Sequence, residues 1–235
     1  MLLAQAPPHG TGSAEPVQNR SLGGILAVIE GTGHHQAPKR LGIEGGGIAI
    51  ADRAEVTTGD EIFNPRTGQR MAFPRTAADS GGEDLIIECW SPPEPSAAAR
   101  EPLHVHPEQT KVLRVINGEL SVFMEGQTRT LAAGEEIAVP PGAVHSFWNA
   151  GDREVHYWQE FRPALRSAEF FATLFALARD GKLNERGIPG ILQLSVTIPR
   201  FRREIRVVRP PAWAQRLVSL LAPIARLTGR EAERQ

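Results

Sequence analysis

Between residues 60 and 162 the apolar positions come in short runs, most alternating with polar ones, each closed by Gly, Pro, Asn or Asp. The runs cover residues 61–63, 69–73, 85–90, 103–106, 112–116, 120–124, 128–131, 136–139, 144–148 and 154–161. A period of two places alternate side chains on one face, so each run is expected to be a strand with one buried side. Their breaks include Asn64-Pro65, Gly81-Gly82, Pro92-Pro93, Asn117-Gly118, Glu125-Gly126 and Pro140-Pro141-Gly142. Many short strands punctuated in this way argue for a sandwich or barrel and against a βαβ sheet. At Asn117-Gly118 a type I′ hairpin is expected, because both residues tolerate positive φ, with residues 111–116 folding back onto 119–124.

The pattern changes on both sides of this region. Residues 1–53 are rich in Gly, Pro, Ala and Ser and hold no sustained apolar period, so they are expected to form a flexible N-terminal extension. Adjacent His34 and His35 would point opposite ways in a strand, and Gly45–Gly47 lacks the spacing of a phosphate loop; neither is assigned a role. After Arg162-Pro163 the period becomes helical. Ser167 can cap a helix through Phe170, Phe171, Leu174, Phe175, Leu177 and Ala178, stopped at Gly181. Residues 192–198 fit a short helix or a strand. A last helix over 212–227 would align Leu217, Leu220, Leu221, Ile224 and Leu227, with Pro223 kinking or splitting it. The expected organisation is therefore an extension (1–53), a barrel (54–163) and a helical C-terminal extension (164–235).

Candidate chemistry sits in residues 98–149. His104 and His106, two apart in an extended segment, present both imidazoles on one face. Gly134, Pro140, Gly142, His145 and Asn149 follow as strand, tight turn and a strand that begins with histidine, bringing a third imidazole within reach of the same place. These two patterns resemble those of the cupin superfamily. Every defining position of its second motif is matched, and the first is matched at His104, His106 and Gly118 but carries Lys111 where the family has a glutamate. The resemblance implies an all-β fold, the cupin double-stranded β-helix or jelly-roll barrel, followed here by C-terminal α-helices like the tail of a group of bacterial single-domain cupins. It also implies that His104, His106 and His145 hold a divalent metal, with the fourth ligand missing.

Three neutral imidazoles accept iron, manganese, nickel, copper or zinc without discrimination. Lys111 opposes any of them: two unit charges about 4 Å apart interact by about 4 kcal/mol at an effective dielectric near 20. Glu160 is a candidate partner for Lys111, since His156, Trp158 and Glu160 alternate onto one face of the last strand. It would neutralise the lysine or supply the missing carboxylate; if that face looks away from the cup, Glu160 is instead an exposed acidic residue near Arg162. Lys111 itself, if depressed in pKa by burial, can act as a base or form an imine. Gln109, Trp148 and Trp158 are the expected pocket-lining residues, and inward-facing aromatics favour an apolar small molecule over a sugar phosphate.

Two functions fit these residues. One is a metal-dependent enzyme on a small organic substrate, a dioxygenase or an isomerase, with Lys111 and Glu160 as catalytic candidates. The other is a non-catalytic module that binds or senses a small molecule, with metal binding weakened or absent because of Lys111.

Composition adds bounds to this. The net charge of −1 offers no general attraction for nucleic acid. A single cysteine, Cys89, and the lack of a basic flank with an apolar core at the N-terminus make a cytoplasmic protein the expectation. From Arg200 onward nine arginines face three glutamates. Such a segment can rest on a membrane surface, although packing against the protein's own barrel is the favoured reading. A homodimer, formed through an outer strand or the helices, is the expected assembly.

Overall fold

The computed structural model describes residues 55–94, 101–184 and 187–229. The readings made for residues 1–53 lie outside them. All ten expected strands are present: β1 (Glu61–Phe63), β2 (Arg70–Arg75), β3 (Leu85–Ser91), β4 (His104–Val105), β5 (Thr110–Asn117), β6 (Glu119–Met124), β7 (Gln127–Ala132), β8 (Glu136–Val139), β9 (His145–Trp148) and β10 (Val155–Arg162). An eleventh, β11 (Arg206–Val207), comes from the C-terminal region. They form two antiparallel sheets, one in the order β1-β2-β3-β10-β5-β8 and the other β11-β4-β9-β6-β7.

The alternation along each strand explains why the sheets face one another. On β3, Leu85, Ile87 and Cys89 point inward, and on β10 so do Val155, Tyr157 and Phe161. β5 adds Leu113 and Val115, and the second sheet answers with Leu120, Val122, Leu131 and Phe147 in the same apolar cluster. Burial of such side chains is worth about 1.5–3 kcal/mol each and is what closes the sandwich. Cys89, fully buried here, has its thiol pushed up to about 12 by burial and is a packing residue.

The hairpin expected at Asn117-Gly118 does not form. β5 and β6 lie in different sheets, so the chain crosses from one sheet to the other at this point. Asn117 stays in extended register opposite His156, and only Gly118 takes positive φ (87°). A Cβ on Gly118 would also come within 3.3 Å of Val155 Cα, so close approach to β10 requires the glycine as much as φ does. A two-residue hairpin turn with both positions at positive φ forms instead at Glu125-Gly126 (49° and 87°), and it joins β6 to β7.

Beside the sheets, α1 (Ala77–Ser80) is a single turn capped by Thr76 and Asp79. α2 (Ser167–Arg179) inserts Phe171 and Phe175 into the main core, so its aromatic stripe packs on the barrel. The ambiguous segment is a helix, α3 (Ile191–Arg200), and Pro223 splits the last one into α4 (Ala212–Ser219) and α5 (Ala222–Leu227). Contrary to the favoured expectation, Leu217, Leu220, Ile224 and Leu227 do not pack on the barrel but are exposed.

Asn149 shows what a motif position outside the histidines does. Its buried amide donates to Ser91 O (2.9 Å) and Arg153 O (2.6 Å), while its Oδ1 accepts from Gly151 N (3.0 Å), which ties β3 to the β9–β10 connection. Asn149→Ala leaves two carbonyls short of a donor. It is expected to cost about 2–4 kcal/mol, read as a lower urea midpoint at unchanged slope.

Candidate metal centre

His104 opens β4 and His145 opens β9, and the two strands pair with these residues directly opposite each other. His106 follows β4 by one residue and is held to the second motif where Gly142 N donates to its carbonyl (2.9 Å). Three positions spread over 42 residues of chain are thereby stacked at one spot. Ring centroids are 4.2 Å apart for His104 and His145, 5.0 Å for His104 and His106, and 5.1 Å for His106 and His145. One nitrogen from each lies within 4.8 Å of the others, and all three residues are buried.

The second nitrogen of each ring decides which atom faces the centre. His104 Nδ1 sits 2.9 Å from Pro102 O, His145 Nδ1 3.0 Å from Ala143 O, and His106 Nδ1 2.6 Å from Glu204 O. A carbonyl only accepts, so each Nδ1 carries the proton and each Nε2 keeps its lone pair. All three Nε2 atoms are buried with no hydrogen-bond partner. Orphaned acceptors of this kind cost free energy unless something occupies the point they share. Burial, reinforced by the nearby Lys111 charge, depresses the basicity of the rings to about 3 for His104 and His145, and depresses His106 further. Neutral imidazoles with aligned lone pairs, each oriented by a backbone carbonyl, are the donor set that can hold a divalent metal.

Lys111 is in the site. Its side chain points inward from β5, is 1 % exposed, and places Nζ 4.1 Å from the ring centre of Phe147 and 5.4 Å from that of Phe161. Burial lowers its pKa to about 8, against the upward pull of Glu101. Ring faces stabilise the ammonium by roughly 1–2 kcal/mol, less than a buried carboxylate partner would.

Glu160 is not that partner. Phe161 is the residue of β10 opposite Lys111 and shares its inward face, which sends Glu160 to the other side of the sheet. There it pairs with Arg162, and burial raises its carboxyl above the usual range. Trp158 leaves by the same outer face, opposite Arg114 and Glu88. Trp148 is also turned outward, because His145 and Phe147 take the inward positions of β9. Gln109 is buried but committed elsewhere: its amide donates to Pro163 O (2.8 Å), Ala164 O (3.0 Å) and Ser167 Oγ (2.9 Å), bracing the start of α2. The aromatic walls of the cup are Phe147 and Phe161, the latter 5.2 Å edge-on to His106.

The residue that sequence reasoning missed is Glu101. Its Oε1 lies 3.8 Å from His104 Nε2, beyond hydrogen-bond distance, and its Oε2 is buried without a partner. The stem of the side chain is partly exposed while the carboxylate tip is turned in. Burial raises its carboxyl, and Lys111 and His145 pull it back down. Glu101 thus sets a carboxyl group beside His104, next to the three-histidine group, and its charge pulls against that of Lys111. Glu204 was missed too; its backbone carbonyl fixes His106, and its carboxylate accepts from Arg166 N (3.2 Å).

Residues 94–158 match the model of the cupin domain. Over 100 residues the chain is 31 % identical to endoribonuclease YbeY of Myxococcus xanthus (strain DK1622), covering 42 % of this chain and 32 % of that protein. The chain therefore spans about a third of that relative's length. It is 24 % identical over 163 residues to germin-like protein 3-5 of Oryza sativa subsp. japonica, 66 % of this chain and 70 % of that one. Among solved structures, an RmlC-like cupin from Shewanella frigidimarina is 21 % identical over 46 % of this chain and 86 % of that chain, with a TM-score of 0.38.

The neutral imidazoles set a pH dependence. An unfolded histidine titrates near 6.5, whereas His104 and His145 hold out to about 3 and His106 lower still. As pH falls below about 6.5 the unfolded chain takes up protons that the folded chain refuses, so stability drops by up to about 1.4 kcal/mol per pH unit for each histidine. Urea midpoints of metal-free protein between about pH 7 and about pH 5.5 should show this slope, and the His104→Gln/His106→Gln variant should keep about one third of it.

Proposed function

We propose that this chain, whose residues 94–158 match the cupin domain, is a metal-dependent enzyme acting on a small organic molecule through the cup formed by His104, His106 and His145. The observation that carries this reading is the convergence of three buried Nε2 lone pairs, each ring pinned through Nδ1 to a backbone carbonyl. His104, His106 and His145 would hold the ion, with Glu101 as the carboxylate of the set. When bound, a divalent ion of the iron, manganese, nickel, copper or zinc group supplies Lewis acidity, and in the redox-active cases electron transfer, at positions the protein leaves open.

The remaining chemistry belongs to the chain. Phe147 and Phe161 exclude water beside the imidazoles and favour an apolar or aromatic portion of a substrate. Lys111, with a pKa of about 8, exchanges a proton at Nζ close to neutral pH and is the candidate acid or base. A proton-shuttling lysine in the cup supports an isomerase-like acid/base reaction ahead of a dioxygenase, which would have no use for it. A second reading rests on the same residue: a fixed positive charge in the cup lowers metal affinity and would suit a module that binds an anionic small molecule without catalysis.

Elemental analysis of untagged protein separates the two. About one metal ion per chain, lost in His104→Ala, is the expected result; protein that carries none and takes up none when offered each candidate ion is the binding module. Glu101→Gln is expected to weaken metal affinity roughly 10- to 100-fold. Lys111→Met should strengthen it by removing the repulsion. Lys111→Glu added to Glu101→Gln should recover affinity, because it removes the ammonium and restores a carboxylate to the cup; failure of that rescue would mean that the cup needs a carboxylate at Glu101's own position and not charge balance alone.

A further inference from the structure

The C-terminal helices bury the small and polar side of an amphipathic segment and leave the large apolar side outside. α4 and α5 are joined by Leu220 and Leu221, both with right-handed helical backbone angles. Trp213, Leu217, Leu220, Ile224 and Leu227 follow a spacing of 4-3-4-3, which is one stripe on a helix. They are 67 %, 57 %, 72 %, 51 % and 88 % exposed. Ala222 and Ala225 face inward instead and pack with Val196 of α3. Gln215 is also buried, donating to Val207 O (2.9 Å) and Pro210 O (2.7 Å). A contiguous apolar stripe held away from the body of a protein marks a contact surface.

The charge around the stripe says what covers it. Between residues 200 and 229 there are seven arginines and a single acidic residue, Glu204, which is buried. Arg203 is answered by Glu108, while Arg202, Arg206, Arg209, Arg216 and Arg226 stand exposed. A second copy of the chain would bring like charge against like charge, and five apolar side chains are far fewer than the roughly 20–30 residues a side of a stable protein interface. Among the described residues no helix is long and apolar enough to cross a membrane. A short Trp- and Leu-faced, Arg-rich helix has the composition that lies in a lipid interface.

We propose that α4 and α5 dock the protein on an anionic lipid bilayer, the stripe entering the acyl boundary and the arginines meeting headgroup phosphates. The contact is tied to the histidine cup. β11 pairs with β4, the strand of His104, and only four residues separate Val207 from the start of α4, so the two are at most about 18 Å of chain apart. Docking therefore holds the cup close to the lipid surface, where apolar molecules partition.

Flotation of the full chain with phosphatidylcholine vesicles, with and without phosphatidylglycerol, tests this. The protein should float with the anionic vesicles at low salt, stay behind with the neutral ones, and be released as salt rises. Arg216→Gln/Arg226→Gln should lower the partition coefficient roughly 25-fold. Leu217→Glu/Leu220→Glu should abolish flotation with an unchanged melting curve, both positions being exposed; if that variant unfolds, Leu227→Gln gives the same readout more mildly. No flotation at low salt, or flotation indifferent to these apolar changes, overturns the proposal. A dimer in solution that Leu217→Glu/Leu220→Glu splits, without any lipid binding by the parent, overturns it in favour of a second copy.

Discussion

Three N–H groups given to three backbone carbonyls are the constraint on which this site depends. Without them each imidazole has two tautomers and a freely turning ring, and buried Nε2 would as soon carry the proton as the lone pair. Pro102 O, Ala143 O and Glu204 O remove that freedom. Two of these carbonyls lie two residues before their histidine, so local backbone shape alone fixes the ring. The third comes from 98 residues away, and it makes the His106 tautomer a property of the whole fold. The order of energies is telling. A neutral hydrogen bond nets only about 1 kcal/mol, but leaving a buried polar atom unmet costs about 1–3 kcal/mol. The protein has met the first nitrogen of each ring and turned the second, with its lone pair, toward the point the three rings share.

The cup also carries charge that its motif does not announce. Lys111 occupies the wall where a carboxylate stands in the pattern that the chain otherwise follows, and its ammonium is cushioned by two ring faces. Glu101 restores the missing negative charge from the segment preceding the histidines. A carboxylate and an ammonium on opposite walls leave the cup near neutral in sum but polarised across its width. A substrate lying between them meets a donor on one side and an acceptor on the other. That polarity distinguishes this cup from one lined by three histidines and a glutamate, where negative charge and metal sit together.

Much of this was legible in the chain. Period-two alternation located ten strands to within two or three residues, because strands such as β2 and β5 bury alternate positions, while turn residues bounded those, such as β9, that do not. The histidine convergence followed from spacing and motif. Two failures have physical causes. Asn117-Gly118 has the composition of a tight hairpin, yet tertiary pairing of β5 with β10 and β8 overrode the local preference, and the glycine serves a sheet crossing. Glu160 was placed in the cup because alternation on β10 was read with the wrong phase: Val155, Tyr157 and Phe161 take the inward positions. Glu101 was hidden by its odd spacing from His104. In a regular strand three residues apart means opposite faces, and only the break at Pro102 lets the carboxylate turn back toward the rings.

The C-terminal segment resisted reading for a different reason. An amphipathic period predicts that a helix has an apolar face; it does not say toward what that face is turned. Here Ala222, Ala225 and Gln215 take the inside, which lets the backbones of α3 and α5 approach closely, and the large side chains are left over. The same stretch supplies β11 to the strand of His104 and the carbonyl that orients His106. Whatever displaces this segment must act on the cup through those two contacts, since a shift of Glu204 O releases one imidazole from its fixed tautomer. The region after the barrel is therefore part of the site's construction, and a surface it presents to the outside is mechanically coupled to the histidines inside.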